Sequence, residues 1–343
     1  MRTQISYINP LDTENLSTND ILLLPSLGVL SSRNDAELEP FIYSAPMDTV
    51  TGYSLTKTMA ELGEYPTVCR FLRDEWNQAF NDYKNNPNIF FAIGAKQKDI
   101  RILFNLLEYN KPTHQVSIAI DIAHGDSVLA HTATRLLSSN PYIGNIMSGS
   151  ICTPDGAERA YDAGCTHLRV GVGPGAACTT RLMTGCGYPQ LKAIYSIARR
   201  LNTEQIDLDI IADGGIKYPG DAVKYLAAGA HGIMLGSRLS NCNESSGWRE
   251  DKNGIKTKQF RGQASKEFQT KHYSRNPRCP EGATGPVIRP NKSCEEIIEE
   301  FRGGVASAIS YLGLTSIREL CPQNVRFVKI TQAAYTEGTP HGT

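Results

Sequence analysis

The sequence predicts a single α/β domain, a closed (β/α)8 barrel spanning residues 1–343 with an extended flap after its eighth strand, and three observations carry that prediction. Short apolar, β-branched runs recur about every 25 residues. Each run is followed by a segment with helical periodicity. The runs are almost continuously apolar, as expected for parallel strands covered on both faces, and there are eight of them, which suits a closed barrel better than an open sheet.

In chain order, the first predicted strand is Ile42–Ala45, followed by a helix over Leu55–Leu62. Pro66–Cys69 is the second strand, joined by a short helical connection to the third, Ile89–Ile93. A helix over Ile100–Leu107 leads to the fourth strand, Val116–Ile122, and the fifth is Ile143–Met147. The helix Asp155–Ala163 precedes the sixth strand, His167–Val172. Gln190–Leu201, the seventh strand Leu208–Ala212, the helix Gly220–Ala228, the eighth strand Gly232–Leu235 and a last helix Glu295–Leu312 complete the repeat.

Two stretches break the rhythm. Residues 172–188 separate the sixth strand from its helix, and 238–292 form an insertion after the eighth, read as a hairpin followed by a mobile flap. Long strand-to-helix loops gather at the C-terminal face of a barrel, where active sites form, so both insertions are expected over one mouth.

The composition excludes several classes of function. The chain has 35 basic and 35 acidic residues, so no excess charge points to nucleic acid or an anionic membrane. No apolar run has the length of a membrane span, and the first residues lack an apolar signal core. The nine cysteines lack the spacing of a disulfide framework or a zinc site, which predicts a reducing, cytoplasmic setting.

Chemistry is expected first at Cys178, in Gly171-Val172-Gly173-Pro174-Gly175-Ala176-Ala177-Cys178-Thr179-Thr180-Arg181. Glycines let the backbone approach a flat ligand, Pro174 stiffens the turn, and hydroxyls and a guanidinium flank the thiol. Asp213-Gly214-Gly215 and Gly236-Ser237 close the seventh and eighth strands, a common place for a barrel phosphate site. Asp213 suits a ribose diol, because a carboxylate accepts hydrogen bonds without donating them. Ser44, in Ser44-Ala45-Pro46-Met47-Asp48-Thr49, closes the first strand, and Asp121 closes the fourth as ligand group or cap. Together these favour a nucleotide monophosphate.

With those residues in this order, the chain resembles the IMP dehydrogenase / GMP reductase family, from Asn19-Asp20-Ile21 to the C-terminal region. The most specific matches are the Cys178 loop with Thr184-Gly185-Cys186-Gly187-Tyr188-Pro189-Gln190 and the run Ala212-Asp213-Gly214-Gly215. The resemblance implies a cytoplasmic homotetramer acting on a purine nucleotide through a covalent thioimidate on Cys178, with hydride passing to or from a nicotinamide. Among family members it points to GMP reductase, which converts GMP to IMP and ammonia with NADPH. The connection between Cys69 and Ile89 is too short for the CBS modules that dehydrogenases carry there. The flap reads His272-Tyr273-Ser274-Arg275 and has no Arg-Tyr dipeptide. A dehydrogenase converting IMP to XMP with NAD is the alternative.

The resemblance assigns Cys178, Thr180 and Glu281 to catalysis. It assigns Ser44, Asp213, Gly214, Gly215, Gly236, Ser237, Gly262, Gln263 and Gly282 to the substrate. Ser32, Arg33, Asp121, Ile122, Ala123, Val172 and Gly173 fall to the cofactor, and carbonyls of Gly173, Gly175 and Cys178 to a monovalent cation, K+. The chain departs from the family pattern at Ala176, Ser150, Arg70 and Phe71.

Overall fold

A computed structural model describes residues 7–250, 253–274 and 276–340. Eight parallel strands form the barrel: β1 (Ile42–Ser44), β2 (Thr67–Val68), β3 (Phe90–Ile93), β4 (Val116–Ile120), β5 (Ile143–Ile151), β6 (His167–Val170), β7 (Asp209–Asp213) and β8 (Gly232–Leu235). They pair in sequence from β2 to β8, and β8 pairs with β1. The last gap, between β1 and β2, closes through backbone bonds from Ser44 N to Tyr65 O (3.1 Å) and from Tyr65 N to Ile42 O (3.0 Å). The rings of Tyr43 and Tyr65 stack across it with centroids 4.5 Å apart.

The unbroken apolar runs follow from this geometry, since alternate side chains of a barrel strand face the axis and the helices. In β3, Phe90 and Ala92 join Tyr43, Ala119, Met147, Ile211 and Met234 inside the barrel. Phe91 and Ile93 pack instead into the layer beneath the helices, with Phe80, Leu103 and Leu107. Each fully buried phenylalanine contributes about 1.5–3 kcal/mol of transfer free energy.

Strand and helix positions match expectation with shifted ends. β4 stops before Asp121, whereas β5 runs on to Ile151, carrying Ser148 and Ser150 toward the mouth. Helix Arg73–Tyr83 fills the connection between β2 and β3. A further ribbon pairs Ile21–Leu23 antiparallel with Phe327–Lys329. Among the described residues no helix is long and apolar enough to cross a membrane.

The insertion after β8 is more ordered in outline than a hairpin and a flap. It is a three-stranded antiparallel sheet, Trp248–Glu250, Lys256–Arg261 and Thr284–Ile288, with helix Lys266–Tyr273 between the second and third strands. Ser265 caps the helix by accepting from Phe268 N (3.2 Å), and Phe268 is buried. A local cap and one buried aromatic are signals that a charged, Pro- and Gly-bearing stretch conceals. Asp251, Lys252 and Arg275, which belong to the same expected insertion, lie outside the described residues.

Candidate active site

The two interruptions meet over the barrel mouth and enclose a cavity of about 830 Å³, in the size range of small-molecule and cofactor sites. Its floor and walls come from the ends of β1, β4, β6, β7 and β8, and its lid from the flap. Backbone bonds zip the lid to the loop after β6: Thr179 N donates to Glu281 O (2.9 Å) and Ala283 N to Ala177 O (2.8 Å). Gly282 sits at the seam, where a Cβ would come within 2.8 Å of Ser265 N, so only glycine lets the chains approach this closely.

This zipper brings together residues about a hundred positions apart in sequence. The Cys178 thiol donates to Thr180 Oγ1 (3.2 Å), and the Thr180 hydroxyl donates to Glu281 Oε2 (2.9 Å). Thiol, hydroxyl and carboxylate therefore form one continuous hydrogen-bond chain, with Cys178 exposed to the cavity. A proton can travel along it in either direction, because the hydroxyl accepts from one neighbour and donates to the other.

Arg181 shapes the loop from below. Its guanidinium donates to Val172 O (2.9 Å) and Tyr188 O (2.5 Å), fastening both ends of residues 172–188. A Cβ on Gly214, whose φ is +89°, would meet Gly175 N at 3.0 Å, so the loops after β6 and β7 touch backbone to backbone.

Two partly buried ion pairs set the charge of the walls. Arg169, in the middle of β6, donates from Nε to Asp213 Oδ2 (3.1 Å) and fixes that carboxylate. Arg70, after β2, donates from Nε to Asp121 Oδ2 (3.0 Å) and from Nη2 to Asp121 O (3.2 Å) and Tyr273 Oη (3.1 Å). Gln263 Nε2 donates to Pro46 O (2.6 Å) and lies 3.4 Å from the same Asp121 oxygen. Asp121, at the end of β4, is thus held by two other elements, the segment after β2 and the flap.

The lid is pinned to the β1 loop by a third cluster. Asp48 is 1 % exposed at its side chain and accepts from both Arg261 Nε (3.3 Å) and Arg261 Nη2. His272 Nε2 lies 2.8 Å from Asp48 Oδ2. Arg261 Nη1 also donates to Glu267 Oε1 (2.8 Å).

Most of the residues singled out in the sequence line this one cavity. They are Cys178, Thr180 and Glu281; Asp213, Gly214, Gly215, Gly236, Ser237, Gly262, Gln263 and Gly282; and Asp121, Ile122, Ala123, Val172, Gly173 and Gly175. Three do not. Ser44 is fully buried, and its hydroxyl accepts from Thr67 N (3.0 Å) and Thr51 Oγ1 (2.9 Å), so it closes the barrel rather than reaching a ligand. Ser32 caps the short turn Arg33–Asp35, and Arg33 Nη1 donates to Ser307 Oγ (3.1 Å), away from the cavity. Arg169 and Tyr273, which line the cavity, were missed as site residues, and Arg181 was expected only to flank the thiol. A charged residue inside an otherwise apolar strand, His167-Leu168-Arg169-Val170, was the available signal for the first.

A family model described as "IMP dehydrogenase / GMP reductase domain" matches residues 19–341. The chain belongs to the IMP dehydrogenase / GMP reductase family. Named relatives include the inosine-5'-monophosphate dehydrogenase of Streptococcus pyogenes, 38 % identical over 237 residues, covering 66 % of this chain and 47 % of that protein. The protein of the same name from Chlorobaculum tepidum is 37 % identical over 238 residues, covering 65 % of this chain and 47 % of its own. The chain spans about half the length of the curated relatives it matches.

Proposed function

We propose that this member of the family is an NADPH-dependent GMP reductase, which converts GMP to IMP and ammonia. The observation that carries the proposal is the unbroken chain from Cys178 through Thr180 to Glu281. Reductive deamination needs a nucleophile for the purine carbon bearing the amine and a proton donor for that amine as it leaves, and the chain supplies both in contact.

In this reading the Cys178 sulfur adds to C2 of the purine, its proton passing through Thr180 toward Glu281. Glu281 and Thr180 then return a proton to the departing amine. Asp213, held by Arg169, accepts from the ribose hydroxyls. Gly214, Gly215, Gly236 and Ser237 offer backbone and hydroxyl donors to the phosphate, and Gly262, Gln263 and Gly282 border the base.

Asp121, Ile122, Ala123, Val172 and Gly173 would hold the nicotinamide half of NADPH, which supplies the hydride. They line the same cavity as Cys178, which suits that role. Carbonyls of Gly173, Gly175 and Cys178 would hold K+. The Gly175 carbonyl already accepts from Cys178 N (2.9 Å) and keeps a second lone pair. Ser32 and Arg33 would serve only across a subunit boundary of a cytoplasmic homotetramer.

A second reading, an IMP dehydrogenase using NAD, is favoured by the names of the relatives at 37–38 % identity. Incubation with GMP and NADPH, or with IMP and NAD, separates the two. Ammonia release with loss of reduced-nicotinamide absorbance supports the reductase. Steady NADH formation from IMP, with no deamination of GMP, overturns it.

A further inference from the structure

The flap leaves and rejoins the barrel at one place, and two cysteines unused by the proposed chemistry lie there. Cys242 caps the short turn Leu239–Asn241 that follows β8, and Cys294 is the first residue of helix Cys294–Leu312. Cys242 pairs with Lys292 in a parallel bridge, and Asn243 N donates to Lys292 O (3.1 Å). Cys294 N donates to Glu244 Oε2 (2.8 Å). Outgoing and returning strands therefore run side by side, which sets the Cys242 and Cys294 thiols next to one another. Both residues are fully buried.

We propose that Cys242 and Cys294 are a modification site, a dithiol that small-molecule disulfides oxidise to an intramolecular disulfide across the root of the flap.

The surroundings separate this pair from the other buried cysteines. Burial raises the Cys69 and Cys165 thiols, which makes them poor nucleophiles. Cys242 is instead drawn below the ordinary thiol range, first by its hydrogen bond with the Cys294 thiol, which outweighs burial and the nearby Glu244 carboxylate, with smaller help from the Ser245 backbone and the Lys258 ammonium. That ammonium is buried and bound by Cys242 O (2.6 Å), Asn243 O (2.9 Å) and Ser245 Oγ (2.8 Å). Cys294 is pushed up by the hydrogen bond with Cys242 and keeps its proton until it acts as the second thiol.

The exchange balances. Cys242 thiolate attacks one sulfur of the reagent and expels the other half as a thiolate. That thiolate takes the Cys294 proton, and Cys294 attacks the Cys242 sulfur and releases the second half as a thiolate, which takes from solvent the proton that Cys242 gave up before its attack. One reagent disulfide and two protein thiols become one protein disulfide and two reagent thiols. Access requires the ribbon carrying Lys258 to lift, so oxidation reports flap opening, and the product ties both ends of the insertion together.

The full chain is incubated with 2-hydroxyethyl disulfide and mapped by peptide mass under non-reducing conditions. The expected result is a peptide pair joined through Cys242 and Cys294, which reduction separates. In Cys294→Ser, Cys242 should stop at a mixed disulfide. Two outcomes in the parent chain overturn the proposal, so it does not depend on the variant folding. One is that both cysteines remain free thiols after the exposed Cys178, Cys186 and Cys279 have reacted to completion. The other is that Cys242 retains the reagent without passing to Cys294.

Discussion

Replacing Thr180 by valine keeps the volume of the side chain and removes one oxygen, and the geometry gives that oxygen an unusual share of the proposed chemistry. Among the described residues it is the only atom hydrogen-bonded to both Cys178 Sγ (3.2 Å) and Glu281 Oε2 (2.9 Å). Without it thiol and carboxylate lose their link, and the leaving amine loses its proton source. General acid–base groups contribute about 10²–10⁴-fold, which at about 1.36 kcal/mol per decade is roughly 3–5 kcal/mol on the barrier. Thr180 is half-exposed at the first turn of helix Thr180–Thr184, so the folded state should lose under about 1 kcal/mol. The assay is ammonia release from GMP with NADPH, beside single-turnover detection of the Cys178 adduct by mass. Thr180→Val should lower kcat by at least about a hundredfold with little change in KM, and Thr180→Ser should recover most of the rate. A valine variant within threefold of the parent, while Cys178→Ala is inert, would show that the hydroxyl carries no proton.

Cys178→Ala should abolish both adduct and turnover yet shift stability by no more than about 0.5 kcal/mol, since the side chain is exposed, as urea denaturation would show. Asp48→Ala leaves the buried Arg261 guanidinium without its main partner, and should cost about 3–5 kcal/mol in the same measurement while loosening the lid to proteolysis. Burial lowers the His167 pKa below its ordinary value of about 6.5, although Asp209 at 3.4 Å opposes the shift. The folded state therefore disfavours the imidazolium, and the unfolded chain binds the extra proton. Stability from this group is complete above about pH 6.5 and falls as pH drops toward the lower folded pKa, by at most about 1.4 kcal/mol per unit. Urea midpoints between pH 7.5 and 5 should show that slope, and His167→Gln should flatten it; an unchanged slope would remove the assignment.

The barrel was legible in the residues because each strand must be apolar on two faces, and each covering helix on one, so burial itself writes the pattern. Phe90 and Phe91 face opposite sides of β3 and are both fully buried, and no alternating antiparallel strand would need both. The cavity residues were legible in part because glycines at strand ends and a thiol in a tight turn are costly to place without a purpose. Ser44 was misplaced for a related reason. It stands at a strand end like the others, but strand pairing turned its hydroxyl toward Thr67 N.

The amino-acid sequence by itself determined the number of strand–helix units, the loop that offers Cys178, and the family. Only the tertiary structure decided that Glu281 meets Thr180, that Arg169 and Arg70 restrain Asp213 and Asp121, and that Cys242 lies against Cys294. Periodicity is a local property, written every two or three and a half residues. Each of those contacts depends on how barrel closure and the flap zipper set distant backbone segments against one another.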